Sequence, residues 1–310
     1  MCLAIFGASF GIAEGSMLSR AAARAIQDTP PPPPPPSPVV FQKPIAADQL
    51  AFLNSFAGRP TNDLVRDGKY KKLMHTVIPD TMFHYGIDMP LSDAVEKVMQ
   101  GSSFPVQIHD GRYLVLSGAT GPYLRGRGFM WIDLQEGIGL GGFFFHPTNG
   151  EPTPSVTVFS RQVKDEDALQ LSQLPAAFAQ DLGQWTADSS IPPITTRYFI
   201  TGSNKKILLE HSEDYCAPAA GADAPPQADC EQMNADAADI DMNAAYYLDQ
   251  TNHATNATAR MIEGNEEVAW IQLRENTCRV GPDPLRCRVR MTHEHIHGIG
   301  HAPPPRAPRR

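Results

Sequence analysis

Four cysteines, Cys216, Cys230, Cys278 and Cys287, fall in the last third of this 310-residue chain, and Cys2 is the only other one. Four cysteines can pair in three ways, and their order in the sequence does not choose among them. Local pairing, Cys216 with Cys230 and Cys278 with Cys287, is the simplest, because each pair brackets a turn or linker beside a helix end. Closing a loop of about fifteen residues contributes roughly 3 kcal/mol through lost chain entropy. That matters in a helical unit too small to be held by its core alone. Bridges of this kind imply an oxidising compartment. A four-cysteine zinc site is the rival reading, but the spacings of 13, 47 and 8 intervening residues contain no C-x2-C knuckle.

The other end of the chain agrees with export. Residues 1–25 read as an export leader or anchor, with an apolar core from Cys2 to Ala13 and a small-x-small pattern at Ala23-Arg24-Ala25. Residues 26–44 read as a Pro-rich linker. Its seven consecutive prolines, Pro30–Pro36, stiffen into polyproline II about 22 Å long at roughly 3.1 Å per residue. Over the whole chain, 42% hydrophobic and 19% charged residues suffice for a sizeable core. A net charge of −8 argues against a general nucleic-acid binder, which needs clustered Lys and Arg. No apolar run approaches the length of a membrane-spanning helix.

Residues 45–210 read as an α+β body, with an antiparallel sheet and helices at its ends. Asp48–Phe56 and Asp63–Val77 have mixed helical spacing, and Ser92 is the expected N-cap of a short helix over Asp93–Met99. Expected strands are Phe104–His109, Arg112–Ser117, Phe129–Leu134, Gly139–Phe145, Ser155–Phe159, Thr195–Ile200 and Lys205–Glu210. Asp110-Gly111, Gly137 and Thr201–Asn204 mark tight turns between them. Lys164–Trp185 is expected as one helix bent at Pro175. Ala217–Ala228 reads as a linker. A small all-helical module then spans 214–299, with helices over Cys230–Leu248, Asn256–Cys278 and Leu285–His297, and 300–310 is expected to be a disordered tail.

Trp270, Arg274 and Cys278 stand in the form W-x3-R-x3-C, followed by Cys287 and, five residues on, Thr292. With Cys230, Asp236, Asp241 and Tyr246 upstream, this pattern resembles the LprI-type lysozyme-inhibitor domain over about residues 214–299. In that family an arginine usually stands three residues after the threonine, where this chain has His295. The resemblance implies a periplasmic or envelope binding protein without chemistry of its own and without a cofactor. Its partner would be a lysozyme or other cationic muramidase, and Trp270, Arg274, Asp236 and Asp241 would be its binding residues. The residues themselves say something more modest. Arg274 lies one turn after Trp270, so its guanidinium can stack on the indole or pair with an acid of the preceding helix. Trp270 and Leu273 are expected to pack against the last helix if the chain turns back after Cys278. From Glu213 to Glu267 there are twelve acidic residues and one arginine, Arg260. Such a surface either solvates a helix or steers a cationic partner.

Two further readings compete. His293-Glu294-His295-Ile296-His297 satisfies H-E-x-x-H, so His293 and His297 with His301 would bind zinc and Glu294 would act as general base in a hydrolase. Against this stand the richness of the segment in histidine and its position within reach of the C-terminus. The other alternative is a non-catalytic immunity or adaptor protein acting through 45–210. Within that body Gly121–Pro154 combines glycines, aromatics and a polar rim of Arg125, Arg127, His146, Asn149 and Glu151. The rim reads either as turns and sheet core or as a surface for a partner or sugar polymer. Gly7–Gly11 (G-x-S-x-G), Ser203–Lys206 (S-x-x-K) and Asp239–Asn243 (a calcium-loop start) match catalytic or metal motifs only in letters. Their contexts are respectively a leader, a strand opening, and a stretch lacking the required Gly and Glu.

Overall fold

A computed structural model describes residues 37–120, 126–146, 154–164, 168–217, 225–252 and 257–299. The leader, the proline tract, the 300–310 tail, Arg125, Asn149, Glu151 and His301 lie outside the described residues. The described residues, from Ser37 onward, belong to one compact unit.

The chain opens with α1 (Ala47–Leu50), a 3-10 turn (Ala51–Phe56), α2 (Thr61–Val65) and α3 (Gly68–Val77). The helix expected over 63–77 is thus two, because Asp67 accepts from the backbone N–H groups of Lys69 (2.7 Å) and Tyr70 (3.2 Å) and starts a new helix. A small hairpin, β1 (Met82–His84) and β2 (Asp88–Pro90), was not foreseen; it leads into α4 (Leu91–Met99). Ser92 does not cap α4. Leu91, fully buried, already belongs to the helix, and its N–H donates to Thr81 O at 2.9 Å.

The main sheet has eight strands: β3 (Gln107–His109), β4 (Tyr113–Ala119), β5 (Arg127–Asp133), β6 (Ile138–Phe145), β7 (Ser155–Phe159), β8 (Ala168–Gln170), β9 (Thr196–Ile200) and β10 (Lys206–Glu210). Their order is β3-β4-β5-β6-β7-β9-β10-β8. All pairings are antiparallel except β7 with β9 and β10 with β8. A parallel neighbour needs a crossover, and the chain supplies it with β8, a 3-10 turn (Leu171–Gln173) and α5 (Ala176–Asp188). This corrects the single helix expected over 164–185. Leu169 is buried in an edge strand, and Pro175, which has no N–H to donate, precedes the first helical residue instead of bending a longer helix.

Tight turns fall where glycine and aspartate place them. Asp110 and Gly111 both have positive φ (54° and 62°) and form the centre of the turn that Arg112 N–H closes on His109 O at 3.0 Å. Gly137 (φ 66°) lies so close to the incoming chain that a Cβ there would sit 2.2 Å from the Ile45 carbonyl oxygen.

Both faces of the sheet are covered, which is why β5, β6 and β7 are buried almost throughout. On one face Leu114, Leu116, Met130, Ile132, Phe143 and Phe145 meet α1–α4. On the other, Phe129, Trp131, Leu140 and Phe144 meet Phe178, Leu182 and Trp185 of α5. The last third is helical: α6 (Gln227–Asn252), α7 (Ala257–Cys278) and α8 (Pro284–Ile296). It packs on the sheet through Met242, Ala245 and Ile296 against Tyr198 of β9 and Leu208 of β10. Fold class is therefore mixed α+β, with an antiparallel-rich sheet, flanking helices and a disulfide-linked helical region.

Candidate functional site

The helical region is closed by two bridges, Cys216–Cys230 and Cys278–Cys287. The first ties the segment after β10 to the start of α6, and the second ties the α7–α8 turn. An oxidising environment is what two such bridges require. Among the described residues no helix is long and apolar enough to cross a membrane.

Arg274, only 3% exposed, is the hub of this region. Its Nη1 donates to Asp239 Oδ1 (2.6 Å) on α6 and to Thr292 Oγ1 (2.8 Å) on α8, while its Nη2 donates to Glu275 Oε1 (2.9 Å). The guanidinium also stands 5.2 Å from the Trp270 ring centroid. Both geometries open to Arg274 in the sequence thus occur together. His295, at the position where the resembled family carries arginine, stacks on Trp270 (3.8 Å, 7°) and its Nε2 lies 2.7 Å from Glu267 Oε2. Leu273 does not join the packing. It is 58% exposed, because α7 turns the Trp270–Arg274 side inward and Leu273 falls on the other side. Asp236 is exposed and accepts from Gln232 Nε2 at 2.6 Å.

Asp241 lies elsewhere, fully buried between α6 and the end of β10. Its Oδ2 accepts from the His211 backbone N–H and its Oδ1 lies on His211 Nδ1, both at 2.7 Å. Beside it Glu210 is 1% exposed, with Oε2 3.8 Å from His297 Nε2 and Oε1 without a hydrogen-bond partner. Burial raises the Glu210 carboxyl above the ordinary carboxylate range; His297 opposes the shift and the Asp241 charge adds to it. Burial likewise lowers His293, with Asp241 opposing and the neighbouring His297 and His211 reinforcing. A cavity of about 520 Å³ opens here, lined by His211, Glu213, Asn234, Arg286, Arg290 and His293. Of this cluster Asp241 was singled out from sequence as a binding residue and His293 and His297 as zinc candidates; Glu210 and His211 were missed, and the available signal was a Glu-His pair ending an otherwise apolar strand.

The H-E-x-x-H segment sits on α8, but the helix ends at Ile296 and His297 is its 58%-exposed cap, while His293 is turned into the fold. Among the described residues no group of three His, Cys, Asp or Glu is arranged to hold a metal ion.

The acidic charge of the helical region is partly cancelled by arginines of α7 and α8. Arg288 pairs with Asp239 (2.6 Å), Arg286 with Glu231 (3.4 Å), and Arg274 with Asp239 and Glu275. Outward, α7 is mostly polar (Arg260, Asn265, Glu266, Gln272, Glu275 and Asn276 are exposed), and set among these residues are four exposed apolar side chains, Met261 (63%), Ile262 (38%), Val268 (55%) and Leu273 (58%).

A second concavity, about 1040 Å³, lies on the α5 side of the sheet. Arg127 and His146, two of the rim residues read from sequence, line it. Asp181 and Trp185 of α5 line it too, and sequence reasoning missed both because that segment was taken only as the end of a longer helix.

These features define a disulfide-stabilised α+β protein with a helical region docked on its sheet, carrying a helix with several exposed apolar side chains and, among the described residues, two concave sites. Scans against protein-family models, curated proteins and solved structures find no match for the chain.

Proposed function

We propose that the chain is an exported binding protein of the periplasm or cell envelope that occupies and inhibits a lysozyme or other cationic muramidase, with no chemistry of its own. The observation that carries the reading is the outward face of α7. Met261, Val268 and Leu273 are exposed on this one helix, with Glu266 and Glu275 between and beside them, and exposed apolar side chains accompanied by acid are what a surface for a protein partner offers. Acid around an apolar centre favours a basic partner and speeds encounter with it. The two bridges and the W-x3-R-x3-C pattern support the same assignment. Trp270 and Arg274 contribute by fixing how α7 is presented, since both are engaged inside the helical region.

Inhibition of cell-wall lysis by a purified muramidase, titrated with the oxidised full-length chain, tests the proposal. Stoichiometric inhibition is expected, weakened at least tenfold by the exposed double substitution Val268→Asp with Leu273→Asp and lost on reduction of the disulfides. Lysis unchanged at a large molar excess of a folded chain, with no complex on gel filtration, would overturn it.

A further inference from the structure

The concavity on the α5 side of the sheet is unrelated to the α7 face, and its lining specifies a ligand class. Its volume of about 1040 Å³ is at the upper end of ligand clefts, about 300–1,000 Å³, so it suits a ligand of several linked rings better than a single small metabolite. Flat apolar groups form part of the wall: Phe104, which is 53% exposed, with Phe144, Trp185, Pro105 and Pro192. Between them stand neutral donors and acceptors, the amides of Gln107 and Gln184 and the hydroxyls of Ser117 and Thr195. The ionisable lining is mixed, with Asp181 and Asp188 as well as Arg127 and His146, so it does not select a strongly anionic ligand such as a polyphosphate. Gln184 Nε2 donates to Asp188 Oδ1 (2.8 Å) and the Thr195 hydroxyl to Pro192 O (2.7 Å), and an acyl chain would desolvate this polar lining without offering it any hydrogen bond. A peptide strand would seek a free sheet edge, whereas β4, β5 and β6, which supply much of this wall, are all interior strands.

One carboxylate is held in place for this purpose. Asp181 Oδ2 accepts from Trp131 Nε1 at 2.8 Å and lies 2.9 Å from His109 Nε2. With that oxygen committed twice, the carboxylate cannot swing, and its side chain, 16% exposed, presents what remains to the concavity it lines. A fixed acceptor beside flat apolar groups and amides matches a ring that has an apolar face and a hydroxylated edge.

We infer that this concavity is an oligosaccharide-binding site, with Asp181 and Gln184 of α5 receiving ring hydroxyl or amide groups and Phe104 forming a stacking platform. The inference does not depend on the muramidase reading, since a sugar chain here and a protein on α7 would use different surfaces.

Titration of the oxidised full-length chain with two probes, an N-acetylglucosamine hexamer and a β-1,4-glucose hexamer, followed by tryptophan fluorescence and calorimetry, is the test. Saturable binding of at least one hexamer is expected, with a change in tryptophan emission because Trp185 lines the site. Phe104→Ala and Gln184→Ala, both at exposed positions, should each weaken binding about fivefold or more without moving the thermal midpoint, and Asp181→Asn should weaken it further. Absence of saturable binding by both hexamers to the folded chain would overturn the assignment, as would binding that the Phe104 and Gln184 substitutions leave unchanged.

Discussion

Replacing Arg274 removes a buried side chain that ties together all three helices of the last third, and its cost can be worked from the contacts. The hydrogen bond to Asp239 is charge-assisted and short, worth about 1.5–3 kcal/mol in a buried setting. The lower end applies, because Asp239 is 27% exposed and keeps Arg288 at 2.6 Å. The bond to Glu275 counts for less than about 1 kcal/mol, since that carboxylate is 48% exposed. Thr292 is fully buried and would lose its donor, at roughly 1 kcal/mol. Loss of the guanidinium from beside Trp270 adds about 0.5–1 kcal/mol. Arg274→Ala should therefore lower stability by about 3–4 kcal/mol. Arg274→Lys, which keeps the charge without the planar fork, should cost about half as much.

Arg288 provides the internal control. Alone, Arg288→Ala should cost only about 1 kcal/mol, as Arg288 is 23% exposed and Arg274 still holds Asp239. Together the two substitutions leave Asp239 with neither arginine, so the double variant should exceed the sum of the singles by at least about 0.5 kcal/mol. Urea unfolding followed in parallel by far-UV circular dichroism and tryptophan fluorescence reads these differences. Arg274→Ala within about 1 kcal/mol of the parent, or strict additivity with Arg288→Ala, would refute the hub.

Two other changes have definite signs. Burial holds the folded-state Glu210 carboxyl above its ordinary value of 4.5, so ionised Glu210 penalises folding, and the penalty grows as pH rises from 4.5 through the folded-state value. Glu210→Gln should accordingly raise the urea midpoint at neutral pH and lose that advantage below pH 4.5; a gain that persists unchanged in acid would exclude this cause. Gly137→Ala should cost about 2 kcal/mol or more, since φ is 66° and the new Cβ would meet Ile45 O at 2.2 Å, and thermal unfolding would show it.

The fold class was legible because its signals are local. Ser155–Phe159 is a run of buried, mostly β-branched residues and forms the strand expected over those residues, and Asp110-Gly111 makes its turn from two residues. The three last helices stand within a few residues of their expected limits, and the bridges close locally. What failed depends on distant partners. Ala168–Gln170 is a strand only because β10 lies beside it, forty residues on. Phe104–Val106 is not strand because Val106 N bonds to Arg59 O instead of to a neighbouring strand. Leu273 looked like core because the helical repeat allows a broad apolar stripe, and only the placement of α8 decides which part of it is covered. Of the binding candidates, Trp270 and Arg274 were placed on one inward face by their four-residue spacing, whereas nothing near Asp241 announces that its partner is His211.

That last pair bears on how the helical region and the sheet recognise each other. An interface made only of Met242, Ala245 and Ile296 against Tyr198 and Leu208 is apolar and would tolerate a slide of α6 along β10 at modest cost. The Asp241 carboxylate removes that freedom. Its two oxygens meet one backbone N–H and one imidazole nitrogen of the same residue, His211, each at 2.7 Å, so a shift of a single turn would strand a fully buried carboxylate. Glu210, half a step away in the strand and poorly satisfied, exacts a cost for the polar junction that the E210Q comparison measures. The register between sheet and helices is thus set by one buried acid and one histidine. The outward presentation of Met261, Val268 and Leu273 is held in turn by Arg274, which ties α7 to the same helix α6.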